Sequence, residues 1–164
     1  HRSCVGNNSC YYLASYGGHV TEVIDSCIGT ESCYYAAYRS GVIGSIRQSC
    51  LGEDACEYAV QFGGNISEIV DSCVGRYACA EAAGNNGTIG LIHQSCSGEY
   101  TCVSAAGYHG NIAEIVDSCI GYEACEDAAY DYGVIGSMTG SCAGRSACFR
   151  AAAAGGDIGV IDRS

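Results

Sequence analysis

The chain contains no proline and no lysine, and it has no apolar run long enough to span a membrane. Without proline there are no Pro-rich linkers, so glycine is the only strong breaker of regular structure. Seven arginines face 18 acidic residues, for a formal net charge of −11, which excludes the basic footprint that phosphate binding needs. The acidic charge therefore predicts no nucleic-acid partner. Since a transmembrane helix needs about 18 or more apolar residues in a row, we predict no membrane partner either.

A signal segment is also missing from the start, where a charged stretch followed by an apolar one would be expected. The first residue is His1 and not an initiator Met. These features predict a processed or excised piece of a longer precursor.

What the chain does contain is one unit of 23 residues, repeated seven times without insertion or deletion. Each unit reads approximately Ser-Cys-x-Gly-x-x-small-Cys-x-x-Ala-Ala-x-x-x-Gly-x-Ile-x-x-Ile-x-x, and its 23 positions are called columns below. Such a period is typical of solenoids, in which each coil packs only against its neighbours. We predict that residues 1–164 form a single solenoid domain with the repeats 3–25, 26–48, 49–71, 72–94, 95–117, 118–140 and 141–163.

Columns 2 and 8 hold all 14 cysteines, a density typical of secreted, disulfide-stapled proteins. Glycine in column 4 permits the sharp turn that brings two cysteines six residues apart within bonding distance. This favours a bond within each coil, although a bond from column 8 to column 2 of the next coil is also geometrically open. Each closed ring would contribute about 2 kcal/mol of stability. The predicted pairs are Cys4–Cys10, Cys27–Cys33, Cys50–Cys56, Cys73–Cys79, Cys96–Cys102, Cys119–Cys125 and Cys142–Cys148.

No metal, cofactor or catalytic site is predicted. Zinc ligands usually come as cysteines two to four residues apart, often with histidine, whereas the histidines here fall in unrelated columns. Acidic pairs recur only in alternate units, and none forms a calcium-binding loop motif. These pairs are Glu22/Asp25, Glu68/Asp71 and Glu114/Asp117. The residues that break the repeat do not cluster by column, so we do not expect an enzyme.

Two short elements are predicted in each coil. Small residues in columns 7, 8, 11 and 12, as in Ala124, Cys125, Ala128 and Ala129, have the spacing of one helix face. The β-branched cluster after the column 16 glycine, as in 42–46, favours a strand. We therefore predict a right-handed α/β solenoid of seven coils, each a short helix plus a short parallel strand, and keep an all-β right-handed solenoid as the alternative.

Tyrosines and sequons mark candidate surface sites. Tyr12, Tyr35 and Tyr58 share one column in three successive coils, with Tyr11 and Tyr34 beside them. We predict a tyrosine ladder there, suited to protein contacts or to stacking on sugars, although the rings could equally cover an alanine-rich surface. Asn7, Asn65 and Asn86 begin N-x-[ST] sequons and are candidate glycosylation sites.

Two resemblances bear on these predictions. Columns 1–12, as in residues 72–83, resemble the twelve-residue coil of beetle hyperactive antifreeze proteins, with its C-x5-C and an alanine three residues later. That resemblance implies disulfides within coils, but the Thr-Cys-Thr of its ice-binding face is replaced here by Ser-Cys followed by residues such as Val or Ile. The whole unit is similar to cysteine-rich tandem repeats of uncharacterised secreted proteins of diatoms and related algae, which implies an extracellular solenoid.

The first and seventh units match the internal ones, and Ser164 occupies the column where another unit would begin. Two copies placed head to tail would continue the solenoid almost in phase, a contact that builds filaments. The leading functional hypothesis is therefore a structural extracellular protein that assembles with itself into a fibre, sheath or wall component. A surface module that binds glycans or ice is the alternative.

Overall fold

A computed structural model of the chain describes residues 14–25, 28, 31, 33, 35–48, 51, 52, 56, 58–74, 77, 79–98, 100–140 and 142–162. These residues form an all-β parallel solenoid. Its elements are β1 (His19–Ile24), β2 (Ala37–Tyr38), β3 (Val42–Arg47), β4 (Val60–Gln61), β5 (Asn65–Val70), β6 (Thr88–His93), β7 (Asn111–Val116), β8 (Ala129–Tyr130), β9 (Val134–Thr139), β10 (Ala152–Ala153) and β11 (Asp157–Asp162).

The long strands form one seven-stranded parallel sheet in the order β1-β3-β5-β6-β7-β9-β11, with one strand from each repeat. Every paired residue lies 23 positions from its partner, as in Ile66 with Ile89. Columns 18 and 21 point inward, so isoleucines such as Ile66 and Ile69 are fully buried, while the columns between them face outward. The repeat period thus sets the register, because a shift by one residue would place inward isoleucines beside outward columns.

The predicted helix is wrong: the structure has no helix among the residues it describes, and the coil is the all-β alternative. Alternate residues of the predicted helical segment, such as Cys79 and Glu81, have φ near +58° and +47°, which no right-handed helix permits. Their N–H groups donate to neighbouring coils, as from Glu81 to Val103 O at 2.8 Å. Parallel strands fix the coil spacing at about 4.8 Å, and helices need roughly 8 Å between axes.

The small residues that suggested a helix face instead fill the narrow interior opposite the sheet. Cysteine in column 8 and alanine in columns 11 and 12 are fully buried in the inner coils, as at Cys102, Ala105 and Ala106. Part of this wall forms the two-residue pairs β2–β4 and β8–β10. Within the described part of the chain, no helix is long and apolar enough to cross a membrane.

Glycine in column 16 marks the closest approach between coils. A Cβ on Gly110 would lie 1.4 Å from the carbonyl oxygen of Ala83 in the preceding coil, and a Cβ on Gly133 would lie 1.4 Å from that of Ala106. The glycine of column 4 is required for a different reason. Gly121 has a φ of +144°, which other residues rarely adopt. Glycine therefore lets two backbones touch in one column and permits the turn within the disulfide ring in the other.

Candidate functional site

Disulfides run along one side of the interior. The structure forms Cys73–Cys79, Cys96–Cys102, Cys119–Cys125 and Cys142–Cys148, which confirms pairing within the coil for these four bonds. Cys33 and Cys56 are also disulfide-bonded, and no described cysteine is free. Cys4, Cys10, Cys27 and Cys50 lie outside the described residues. The sulfur atoms of Cys96, Cys102 and Cys125 lie within 4.8 Å of one another, but each belongs to a disulfide and not to a metal site.

A buried serine ladder runs beside the disulfides. In column 1, the Ser72 N–H donates to Ser95 Oγ at 3.2 Å, and the Ser95 N–H donates to Ser118 Oγ at the same distance. Each hydroxyl in turn donates to a carbonyl two residues earlier, as from Ser95 Oγ to His93 O at 2.9 Å. These side chains are fully buried, so the ladder satisfies backbone groups that the turn out of each strand would leave unpaired.

Aromatic rings form a continuous surface on the N-terminal coils. The Tyr35 and Tyr58 rings are stacked, with centroids 5.9 Å apart and planes 21° apart. Tyr38 lies 5.0 Å from Tyr35 and makes an edge contact with Phe62 at 5.3 Å. Two of the five predicted contact residues, Tyr35 and Tyr58, therefore belong to one surface. The other three, Tyr11, Tyr12 and Tyr34, lie outside the described residues.

Arginine completes this aromatic surface. The Arg39 guanidinium lies 5.4 Å from the Tyr16 ring centroid and 5.2 Å from that of Tyr38. Tyr16 is 73% exposed and Phe62 is 50% exposed, so both present ring area to solvent. Tyr16, Tyr38, Arg39 and Phe62 were not among the predicted contact residues, although columns 13 and 14 bring them together at the 23-residue offset.

Stacked rings recur on the C-terminal coils. Tyr77 stacks on Tyr100 at 5.6 Å with planes 13° apart, and Tyr100 makes an edge contact with Tyr122. His109 stacks on Tyr132 at 5.4 Å with planes 8° apart. In all these pairs a ring contacts a ring of the adjacent coil. Part of each ring's surface is therefore covered by the neighbouring ring.

Charged side chains form a row on the outer face of the sheet. Arg47 lies between the carboxylates of Glu22 and Glu68, one coil away on each side, and forms an ion pair with both. Ser45 Oγ donates to Glu22 Oε1 at 3.3 Å. In the first three coils the middle unit thus places a cation and a hydroxyl donor between carboxylates, which relieves their repulsion.

Two further carboxylates have identifiable partners. Burial raises the pKa of Glu81, and the hydrogen bond from the Tyr58 hydroxyl opposes that shift. Arg150 donates two hydrogen bonds to Asp127, from Nε at 3.0 Å and from Nη2 at 2.6 Å. The bidentate Arg150–Asp127 pair joins the last two coils.

The two described sequons differ in geometry. Asn65 begins β5, and its Nδ2 donates to Thr88 Oγ1 at 2.6 Å. Asn86 lies in the exposed turn before β6, with a φ of +65°. Asn7 lies outside the described residues. Both described asparagines are exposed, and they differ in that the Asn65 amide donates to Thr88.

The strand β11 carries exposed apolar side chains at the outer edge of the sheet. Ile161 is 46% exposed, whereas Met138, its neighbour in the same column of β9, is fully buried. Val160 is also exposed, and β11 pairs with β9 alone among the described strands. The edge therefore presents apolar side chains together with unpaired backbone groups.

A family model described as "Domain of unknown function (DUF7640)" matches residues 1–94. This match covers more than half of the chain and includes the first four repeats. No curated protein and no solved structure matches the chain.

Proposed function

The chain belongs to the DUF7640 family, and from its geometry we propose that it is a structural extracellular repeat protein that assembles head to tail into a fibre, sheath or wall component. The extracellular part of the proposal is supported by the disulfides, since such a density of bonds is typical of oxidising compartments.

The main support is that most of the side chains described above contact neighbouring coils. They do not converge on a cleft within the described part of the chain. Inward residues such as Ile66 and Ala105 are fully buried, and the disulfides lie against them. Outward rings such as Tyr77 and Tyr100 stack on each other. Interactions that repeat from coil to coil add stability along the axis, which suits a load-bearing element better than a catalyst.

Assembly is supported by the edge of β11. A second copy whose β1 paired with this edge at the same offset would cover Ile161 with Val23, and it would place His19 beside Asp157. Burying apolar area stabilises such a contact by about 25 cal/mol per Å². A heterologous contact of this kind does not close, so it produces filaments.

Electron microscopy of the purified chain at increasing concentration tests this proposal. We expect unbranched fibres with an axial repeat of about 34 Å, from seven coils at about 4.8 Å each. The Ile161→Lys variant places a charge at the contact and should stop growth. Val160→Lys, which places the same charge on the outward face of the same strand, is the matched control. A monodisperse monomer at every concentration would refute assembly.

A glycan-binding module is the alternative that the exposed aromatic surface favours. Tyr16 and Phe62 have ring area available to stack on sugars. A glycan array with the wild-type chain and the variants Tyr16→Ala and Tyr35→Ala tests this alternative. Binding that depends on both rings would favour it over a purely structural role. For the ice-binding alternative, ice shaping or thermal hysteresis by the purified chain would be the corresponding result.

A further inference from the structure

Two pairs of tyrosine rings stack face to face between adjoining coils. Tyr77 and Tyr100 have ring centroids 5.6 Å apart and planes 13° apart, and Tyr35 and Tyr58 have centroids 5.9 Å apart and planes 21° apart. In both pairs the two residues occupy the same column of successive coils, so the coil spacing holds one ring against the other. All four side chains are at least partly exposed, so a reagent in solution can reach them.

Other tyrosine pairs lie at similar distances but in a different orientation. Tyr35 also lies 5.0 Å from Tyr38, with the two planes tilted by 60°. Three pairs among the described residues meet edge to face, with planes 86° to 87° apart and centroids 5.7 to 6.3 Å apart. These pairs are Tyr16–Tyr38, Tyr100–Tyr122 and Tyr108–Tyr130. Orientation, and not distance, therefore separates the stacked pairs from the others.

We propose that Tyr35–Tyr58 and Tyr77–Tyr100 are oxidative cross-linking sites, at which dityrosine forms between adjacent coils of one chain. The oxidant is hydrogen peroxide, used by a haem peroxidase that removes one electron at a time from phenols. Each tyrosine gives up one electron and its phenolic proton. The two phenoxyl radicals then form a C–C bond between ring carbons next to the oxygens, and the hydrogens on those carbons move to the oxygens and restore both phenols. Hydrogen peroxide takes up the two electrons and two protons and becomes two water molecules.

Ring orientation determines which pairs can form this bond. The unpaired electron of a phenoxyl radical occupies a π orbital, whose lobes project above and below the ring plane. In a stacked pair these lobes point at each other, so a short inward movement is enough to form the bond. In an edge-to-face pair the π orbital of one ring has its node toward the other ring, so that ring must first turn by nearly a right angle. Aligned orbitals at close range accelerate a reaction by orders of magnitude.

The new bond would join coils that the disulfides do not join. Each of the four described disulfides closes a ring within a single coil. A bond between Tyr77 and Tyr100 instead links two coils and is not cleaved by thiols. Both tyrosines belong to one chain, so the inference goes beyond the proposed assembly and does not depend on it.

Oxidation of the dilute full chain tests the two sites. An equal mixture of unlabelled and isotope-labelled chains is treated with a haem peroxidase and hydrogen peroxide. The disulfides are then reduced, the chain is cleaved after its acidic residues, and mass spectrometry identifies peptides joined with the loss of two hydrogen atoms. We expect each stacked pair to give at least about tenfold more joined peptide than any edge-to-face pair, without peptides that mix the two labels. Equal yields from both kinds of pair, a majority of mixed-label products, or no joined peptide would overturn the proposal.

Two phenylalanine variants test the role of stacking. Tyr100→Phe keeps a ring in the stack but cannot form a phenoxyl radical, so the cross-link to Tyr77 should be lost and that of Tyr35–Tyr58 retained. Tyr122→Phe is the matched control, because it removes the edge-to-face partner of the same ring, and both cross-links should persist. If the two variants reduced the Tyr77–Tyr100 product equally, ring orientation would not select the reacting pair.

Discussion

Replacing Gly110 with alanine tests why column 16 is glycine in every coil. The added Cβ would lie 1.4 Å from the Ala83 carbonyl oxygen. Optimal nonbonded separations are roughly 3.5 Å, so the two coils would have to move apart locally by about 2 Å. Two hydrogen bonds cross this interface nearby, from Ala83 N to Ala105 O at 2.7 Å and from Asn111 N to Gly87 O at 2.9 Å. A movement of this size would break both.

The expected cost is about 3 to 5 kcal/mol. An unsatisfied buried backbone group costs about 1 to 3 kcal/mol, and overpacking adds a further penalty. The smaller entropy of the unfolded alanine chain offsets only about 0.4 to 1 kcal/mol of this loss. Denaturant unfolding with the disulfides intact, followed by circular dichroism, measures the difference in free energy of unfolding.

Gly18→Ala is the matched control, because Gly18 occupies the same column in the first coil. A Cβ there would meet nothing closer than Ser15 O at 3.1 Å, within its own coil. We expect a change within about 1 kcal/mol for this variant. If Gly110→Ala and Gly18→Ala destabilised the chain equally, close approach between coils would not be the reason for the glycine.

Three further predictions concern single side chains. Ser95→Ala removes the acceptor of the buried Ser72 N–H and should cost about 1 to 3 kcal/mol in the same unfolding assay. Ser95→Thr keeps a hydroxyl acceptor and should therefore lose less stability than Ser95→Ala. Glu81→Gln should raise the melting temperature at neutral pH: burial raises the folded-state pKa of Glu81, so its contribution to stability is present at low pH and lost as the pH rises through that pKa. The gain should vanish in acid, and a gain that did not depend on pH would contradict this. Arg47→Gln should cost less than about 1 kcal/mol, with a difference that shrinks in high salt, because its ion pairs are exposed.

The strands were predictable from the sequence because their signal repeats. Columns 18 and 21 hold Ile or a similar residue in all seven units, and the strand was expected where those residues lie, as in 42–46. The disulfide pairing was equally accessible for the four described bonds, since a constant spacing with a glycine inside the ring points to one coil. Both signals are local in the chain.

The predicted helix is wrong because the spacing between coils, and not the spacing along the chain, selects these small residues. Ala128 and Ala129 are small because a neighbouring coil lies at strand distance, and not because a helix presents them. Helical spacing and a narrow β interior both select small residues, so composition alone does not separate them. The conflict between a strand spacing of about 4.8 Å and a helix spacing of about 8 Å was the signal that favoured the all-β coil.

Other features depend on contacts 23 residues away. The hydroxyl of Ser95 accepts a hydrogen bond from the Ser72 N–H, which lies in the preceding coil. The sequence of one unit alone does not reveal this bond. The aromatic surface likewise joins Tyr38 and Phe62 from adjoining columns of successive coils. Writing the repeats one beneath another shows which residues are neighbours, but it does not show which of them point inward.

The charged row on the sheet also affects which coils can stack on each other while a chain of near-identical units folds. Any coil could in principle stack on any other, since the buried columns are almost the same in all seven. If the second unit were looped out, Glu68 would pair directly with Glu22 without Arg47 between them, and two carboxylates would lie about 5 Å apart. Skipping two units would instead place Leu91 beside Glu22, which carries no such penalty. Alternation of odd and even units therefore disfavours the loss of one even unit, because that loss would place two acidic strands side by side.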